Sequence, residues 1–159
     1  MKKILCFVSA SMLMILMSVL PVRAQEYDIE SIKVEQDGSL TVRVWGNGRN
    51  RSDARELAKK NAVYDVIFKG VTKGVAKGIY TRPLLPVVNA REKFQEYFDI
   101  FFMDGGEYLK YVSMEDRRVG SDVKYKGKIQ VKFCTTVRVL IPELRSRLKA
   151  DNVLKSNYD

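Results

Sequence analysis

The sequence contains no histidine among its 159 residues, and this absence removes several common kinds of catalytic site. Serine and cysteine nucleophiles of the triad type need an imidazole base, and most zinc sites use histidine ligands. Cysteine is almost as scarce, because the chain has only Cys6 and Cys134. We therefore expect no metal centre, no small-molecule cofactor and no catalytic residues, and we interpret the protein as not being an enzyme.

Paired carboxylates are the remaining route to acid–base catalysis, as in glycoside hydrolysis. The candidates are Glu56, Asp65, Glu92, Glu96, Asp99, Asp104 and Glu107. Their spacing is typical of the charged faces of amphipathic helices and gives no sign of a catalytic pair. A small hydrolase stays open as an alternative, and it would require several of these carboxylates to converge in a pocket.

Long apolar runs are also scarce, and the only one covers residues 4–20. Two lysines precede it, and a Val-Arg-Ala segment that ends at Ala24 places small residues where a signal peptidase reads them. We therefore interpret residues 1–24 as a signal peptide and expect an exported protein that is periplasmic, associated with the outer membrane or secreted. A membrane anchor is the alternative, since 17 apolar residues approach the shortest bilayer span.

Removal of this segment leaves residues 25–159 as one domain, with Cys134 as its single cysteine. One thiol forms no intramolecular disulfide, so a hydrophobic core must hold the exported chain together. The formal charge falls from +9 to +6, because residues 1–24 contain three cations and no acids. This charge either favours solubility or attracts anionic material such as lipopolysaccharide, teichoic acid or nucleic acid.

Apolar and polar residues alternate on both sides of Asp37 and Gly38, which predicts a β-hairpin. In the second strand Val44 faces the core and Trp45 lies on the opposite face. Trp45 either packs under the following loop or contacts a partner. Residues 46–51 then form a glycine-rich turn in front of a helix.

This turn follows a strand and precedes a helix, which is the position of a phosphate-binding loop. The dinucleotide pattern needs a third glycine where the chain has Arg51, and no phosphate-loop Gly-Lys-Ser/Thr is present. A general anion site built from Arg49, Arg51 and the first helical amides is the alternative. Otherwise the glycines only turn the chain.

An amphipathic helix is predicted over residues 50–70, capped by Asn50 or Ser52 and ended by Gly70. Its apolar stripe is built largely from alanine, including Ala58 and Ala62. Small residues allow a helix to lie close to a sheet, so this helix sets the expected fold class.

A Lys-Gly repeat follows in residues 69–78, and we interpret it as a flexible connection or as a lysine-bearing flap. A second helix is predicted to begin at Asn89 with a capping-box pattern. Its aromatic stripe consists of Phe94, Tyr97, Phe98, Phe101 and Phe102. One interpretation is that the stripe belongs to the core. The alternative is a contact for a partner or a homo-oligomer, made by Trp45, Tyr97, Phe101 and Phe102.

Residues 107–115 are predicted to form a strand, and residues 123–139 a long antiparallel strand with a bend or bulge at Gly127 or Cys134. Evenly spaced cations occupy one face of the longer strand. With the arginines of the turn they form a possible polyanion-binding set: Lys124, Lys126, Lys128, Lys132, Arg49 and Arg51. Lysines on a solvated strand also prevent edge-to-edge aggregation, which is the simpler interpretation.

Pro142 occupies a first helical position and opens a short closing helix that is expected to fray into residues 152–159. The sequence as a whole predicts an α+β fold. We expect an antiparallel sheet of about four strands in the order ββααββα, with two helices packed on one face and a short C-terminal helix.

The strand that ends in Val-Trp-Gly-Asn-Gly continues into a helix that begins Arg-Ser-Asp-Ala-Arg-Glu-Leu-Ala-Lys-Lys-Asn-Ala. This unit resembles the N-terminal domain of the flagellar assembly protein T and related exported envelope lipoproteins of bacteria. The resemblance covers mainly residues 40–70 and more loosely residues 124–139, and this chain lacks the acylated cysteine of those lipoproteins. It implies a non-catalytic module in envelope or surface-appendage assembly, with no catalytic residues to carry over.

Two functions are therefore expected in preference to an enzyme. The first is contact with an envelope protein through the aromatic helix or the lysine-rich sheet face. The second is binding of lipopolysaccharide, glycan or nucleic acid by the polyanion-binding set. The two differ in salt response, because only polyanion binding weakens steeply with ionic strength.

Overall fold

The structure is a computed structural model that describes residues 29–114, 124–126 and 131–155. The predicted signal peptide, residues 1–24, and the predicted site residue Lys128 lie outside the described residues. Among the described helices, none is both long and apolar enough to cross a lipid bilayer.

One antiparallel sheet organises the described chain. The predicted hairpin consists of β1 (Ile29–Val34) and β2 (Leu40–Gly48), and β2 pairs along its whole length with β5 (Val131–Val139). The other edge of β5 pairs with β3 (Val112–Met114) and β4 (Lys124–Lys126), which lie end to end. The strands therefore fill four positions, in the order β1, β2, β5 and then β3 with β4.

Helices complete the predicted α+β arrangement, which is confirmed. Helix α1 (Arg51–Phe68) packs against β2 and β5. The remaining helices are α2 (Ala90–Lys93), α3 (Gln95–Phe101) and α4 (Ile141–Ala150), with 3₁₀ helices at Gly78–Thr81 and Glu107–Tyr111. Helix α3 lies beside α1, where Phe98 meets Phe68 edge to face with ring centroids 4.7 Å apart.

Gly46 controls how closely α1 approaches the sheet. A Cβ atom at Gly46 would lie 1.9 Å from the carbonyl oxygen of Ala54, and one at Gly48 would lie 2.5 Å from the Ala54 nitrogen. Both glycines belong to β2, so the predicted glycine-rich turn shrinks to Arg49 and Asn50. The expectation that these glycines only turn the chain is wrong, because they allow helix and strand backbones to touch.

The alanine stripe of α1 is confirmed as the buried face of the helix. Ala58 and Ala62 are fully buried, as is Ala54. The side chain of Asn50 caps the helix, since its Oδ1 accepts a hydrogen bond of 3.0 Å from the Asp53 nitrogen. Burial of the stripe carries Asn61 inside as well, and its Nδ2 donates to the Trp45 carbonyl oxygen at 3.1 Å.

The Lys-Gly segment after α1 is tied to the edge of β1. The Ser31 nitrogen donates to the Lys73 carbonyl oxygen at 2.9 Å, and the Val75 nitrogen donates to the Ser31 carbonyl oxygen at 3.0 Å. The Ser31 hydroxyl donates to the Lys73 carbonyl oxygen at 2.8 Å and accepts from the Ala76 nitrogen at 2.9 Å. The predicted loose connection is therefore wrong, because this segment covers a strand edge that would otherwise offer unpaired amides.

Two predicted strands are observed only in part, residues 107–115 as β3 and residues 123–139 as β4 and β5. Residues 107–115 begin as a 3₁₀ helix, because Tyr108 and Tyr111 are three residues apart and both turn into the core. Residues 123–139 are not one strand: β4 pairs back onto β5, with Lys126 opposite Val131. The predicted bend at Gly127 lies outside the described residues.

The aromatic helix and the closing helix also differ from expectation in detail. Asn89 has a φ of 56° and makes no side-chain cap, so the predicted capping box is wrong. The helix is broken at Phe94, between α2 and α3. Helix α4 begins as predicted, but Val153 and Leu154 are buried beyond it and their amides each donate to the Leu148 carbonyl oxygen at 2.9 Å instead of fraying.

Substitution of Gly46 by alanine should lower the free energy of unfolding by about 3 kcal/mol, because the new methyl group would overlap helix backbone that moves only if α1 moves. Urea unfolding measures this change. Arg43→Ala, an exposed position on the same strand, is the control and should cost less than about 1 kcal/mol. A Gly46→Ala protein as stable as the wild type would contradict the observed helix–strand contact.

Ser31→Ala should destabilise the protein by about 1–3 kcal/mol, since it leaves the buried Ala76 amide without an acceptor. It should also release the segment that Ser31 holds. Limited trypsin digestion should then cut faster after Lys73 and Lys77 than in the wild type. Ser113→Ala, at an exposed serine of β3, should leave the cleavage rate unchanged; equal rates in the two variants would exclude the anchoring role.

Candidate functional site

The sheet register brings most of the predicted polyanion-binding set to one end of the molecule. Gly48 at the end of β2 pairs with Val131, and Val131 pairs with Lys126 in β4. Helix α1 begins at Arg51, three residues after Gly48. We call this region the basic end and define it by Arg49, Arg51, Arg55, Lys124, Lys126 and Lys132.

Two arginines of α1 lie against one buried ring. The guanidinium carbons of Arg51 and Arg55 are 4.7 Å and 5.2 Å from the ring centroid of Phe133. Phe133 is only 2% exposed, and such cation–π contacts contribute roughly 0.5–2 kcal/mol each. Arg55 is absent from the predicted set, although its spacing of four residues from Arg51 indicates that the two share a helix face.

Lys132 belongs to the opposite face of the sheet. It pairs in register with Asn47, one residue from Phe133, and its Nζ lies 5.0 Å from the ring centroid of Trp45. Trp45 is half-buried on this face, opposite Val44, as predicted. The predicted single row of lysines is therefore wrong, because Lys124 and Lys126 lie on β4, whereas Lys132 lies on β5.

Arg49 is a highly exposed cation of the basic end. Its side chain is 94% exposed, and its Nε lies 3.4 Å from an Asp53 carboxylate oxygen. This surface pair is worth little in stability, because water and salt screen it. Arg49 is therefore held in place only weakly, near the start of α1.

The predicted aromatic contact is largely inside the protein. Phe101 and Phe102 are 2% and 9% exposed, so they offer no surface to a partner, and that part of the expectation is wrong. Each aromatic ring buries a large area, so these rings stabilise the core of the protein and not a contact with a partner. The apolar side chains that this segment does expose are Ile100 and Met103, at 67% and 56%.

Tyr97, the remaining predicted contact residue, is half-buried and fastens α3 to the end of α4. Its hydroxyl donates to Asp151 Oδ2 at 2.7 Å, and Arg147 Nε donates to the same oxygen at 2.7 Å. Burial and the bond to this carboxylate raise the pKa of Tyr97 well above its ordinary value. The hydrogen bond between Tyr97 and Asp151 therefore explains the position of Tyr97 as part of the fold.

Carboxylates do meet at one place, a cleft lined in part by Asp53, Glu56 and Asp104. Each is paired with a cation: Asp53 with Arg49 as described, Glu56 with Lys59 at 2.6 Å and Asp104 with Lys60 at 2.9 Å. Within the described ranges, no group of three acidic or cysteine side chains has the arrangement of a metal site. Cys134 is buried beside Trp45 in the register and is not accessible for nucleophilic chemistry.

The chain matches no protein-family model, no curated protein and no solved structure at a significant level. The resemblance to the N-terminal domain of the flagellar assembly protein T therefore stays a prediction.

The stability of the protein should fall as the pH rises above about 10, the ordinary pKa of tyrosine. Burial raises the pKa of Tyr97, Tyr108 and Tyr111 in the folded protein. Their contribution is fully present below the unfolded pKa and is lost as the pH rises toward the folded value. Urea unfolding at pH 9 and above pH 10 should show a smaller loss for Tyr97→Phe than for the wild type; equal losses would contradict the assignment.

Proposed function

We propose that the chain is a non-catalytic exported module that binds anionic polymer of the cell envelope through its basic end. The observation that carries the proposal is convergence: three separate parts of the chain bring cation positions to the same end of one sheet. Arg51 and Arg55 come from α1, Lys132 from β5, and positions 124 and 126 from β4.

The contacts around Phe133 and Trp45 support this use of the cations. Arg51 and Arg55 lie against the Phe133 ring and Lys132 lies against the Trp45 ring, so aromatic contacts help to fix the positions of all three cations. The N-terminus of α1 adds its partial positive charge to the same region. Phosphate or carboxylate groups spaced along a polymer would meet several of these charges at once.

The acidic residues support a non-catalytic role. Acid–base catalysis requires carboxyl groups whose environments separate their pKa values. The side chains of Asp53, Glu56 and Asp104 are 37%, 48% and 102% exposed, and each already has a cationic neighbour. Carboxylates that reach solvent and lie beside a cation are typical of an ordinary charged protein surface.

Contact with another envelope protein is the second candidate function. The exposed Ile100 and Met103 at the end of α3 favour it, because apolar side chains of this size on a surface often mark a protein contact. Such a contact would depend weakly on salt, whereas binding at the basic end would weaken steeply. Capture of partners from the envelope fraction with washes at low and high salt separates the two.

The basic end should bind lipopolysaccharide micelles and dextran sulfate, with neutral dextran as the uncharged comparison. Affinity should fall about a hundredfold between about 50 and 200 mM salt if four cations contact the polymer. The triple variant Arg51→Gln/Arg55→Gln/Lys132→Gln should reduce the slope of log affinity against log salt by about three.

The matched control removes three exposed cations elsewhere, Lys77→Gln/Lys93→Gln/Lys155→Gln. Its net charge equals that of the basic-end variant, so only location differs. Circular dichroism verifies that both variants are folded. Equal losses in the two variants would show that net charge alone attracts the polymer, and absence of wild-type binding at low salt would refute the proposal.

A further inference from the structure

Trp45 lies on the face of β2 that is opposite to α1. Helix α1 packs on the other face of this strand, where Val42 and Val44 are fully buried. Side chains of a strand alternate between its two faces, so Arg43, Trp45 and Asn47 share the face away from the helix. Arg43 is exposed, and Trp45 and Asn47 are half-buried. Part of an indole ring is therefore accessible here between polar side chains.

The neighbouring strand adds a cation beside this ring. Lys132 of β5 pairs in register with Asn47, and its Nζ lies 5.0 Å from the centroid of the Trp45 ring. The lysine stem is flexible, so the ammonium can turn from the ring to a nearby anion while its backbone stays in the sheet. Trp45 and Lys132 thus offer an apolar surface and a positive charge at the same point.

A sugar ring that carries a carboxylate matches this combination. The C–H groups on one side of a sugar ring pack on the face of an indole, where their partial positive charge meets the negative π surface. In a uronic acid the carboxylate is bonded directly to the sugar ring, so stacking on Trp45 brings it beside the Lys132 ammonium. The amide of Asn47 can donate to or accept from the sugar hydroxyls.

Single-stranded nucleic acid fits this face less well. Such ligands stack successive bases on several aromatic side chains. The residues that accompany Trp45 on this face of β2 and β5 are polar, charged or small, and none is aromatic. In a nucleotide the ribose also separates the base from the phosphate, so a base stacked on Trp45 would hold its charge away from Lys132.

We propose that Trp45 makes the protein selective for acidic polysaccharide, by stacking on one uronic acid ring whose carboxylate accepts a hydrogen bond from Lys132. The inference rests on the proposed binding of anionic polymer at the basic end, and it names the class of polymer. Lys132 connects the two, because it belongs to the basic end and lies at the Trp45 ring. A polymer of phosphate groups without rings would meet the same cations and gain nothing from the indole.

Polygalacturonate is the probe, and polyphosphate with the same number of charges is the comparison that lacks sugar rings. Isothermal titration calorimetry at about 50 mM salt, where binding by cations is strong, measures both affinities for the wild-type protein. Trp45 is the only tryptophan of the chain, so tryptophan fluorescence reports on this position alone. Polygalacturonate should change the emission with the same affinity that calorimetry gives. Unchanged emission at saturation would overturn the inference.

Variants at position 45 test the ring itself. Trp45→Leu keeps an apolar side chain without a ring, and it should weaken polygalacturonate binding about tenfold while leaving polyphosphate binding unchanged. Trp45→Phe keeps a smaller ring and should lose only about threefold. Phe94→Leu, at a half-buried aromatic residue between α2 and α3, is the matched control and should leave both affinities unchanged. Circular dichroism verifies that each variant is folded.

The outcomes separate this inference from the proposed function. Polygalacturonate binding that is unchanged in Trp45→Leu, or reduced no more than polyphosphate binding, would overturn the inference and leave polymer binding at the basic end intact. Failure of the wild-type protein to bind either polymer would refute the proposed function as well. Oligothymidylate is the third ligand: a loss in Trp45→Leu as large as that for polygalacturonate would identify nucleic acid as the occupant and overturn the assignment to polysaccharide.

Discussion

The close approach of α1 to β2 is the contact on which the rest of the molecule depends. A helix and a strand come within backbone distance only where side chains are absent or minimal, and here Gly46 meets Ala54 and Ala58. The valines of β2 and β5 then fill the space on either side of this contact; they include Val42 and Val137, which face each other in register and are fully buried. Because no disulfide is present within the described residues to hold the chain, this packing must supply the stability.

The seating of α1 also determines where charge and cavity occur. One side of its first turns places Arg51 and Arg55 on Phe133, where the sheet ends. Lys60, further along the helix, instead has its Nζ 5.6 Å from the ring centroid of Tyr108. A shift of α1 on the sheet would therefore alter the basic end and the cleft that Lys60 and Tyr108 line together.

The sequence predicted the parts of this fold that rest on periodicity, and missed those that rest on long-range contact. The hairpin, the alanine stripe and the α+β order follow from residue spacing, and all are observed. The pairing of β4 back onto β5 does not follow from residue spacing. One alternating pattern fits a single long strand and a hairpin equally well until the turn is known. Likewise, nothing local to the Lys-Gly segment indicates that Ser31, more than forty residues earlier, would anchor Lys73 and Ala76. For the candidate site, the sequence predicted that cations would be present. Only the strand register shows that they are divided between two faces of the sheet and that Arg55 contacts Phe133.

Buried polar groups separate structural from functional explanations in this protein. Asn61 and Ser31 are buried, and each has a bond that the fold requires. Tyr97 is likewise explained, since its hydroxyl joins α3 to the end of α4 through Asp151. Ser39 also has an unpartnered buried hydroxyl, but it lies in the turn between β1 and β2 and outside the cleft. Of these four side chains, the fold gives a hydrogen-bond partner to all except Ser39.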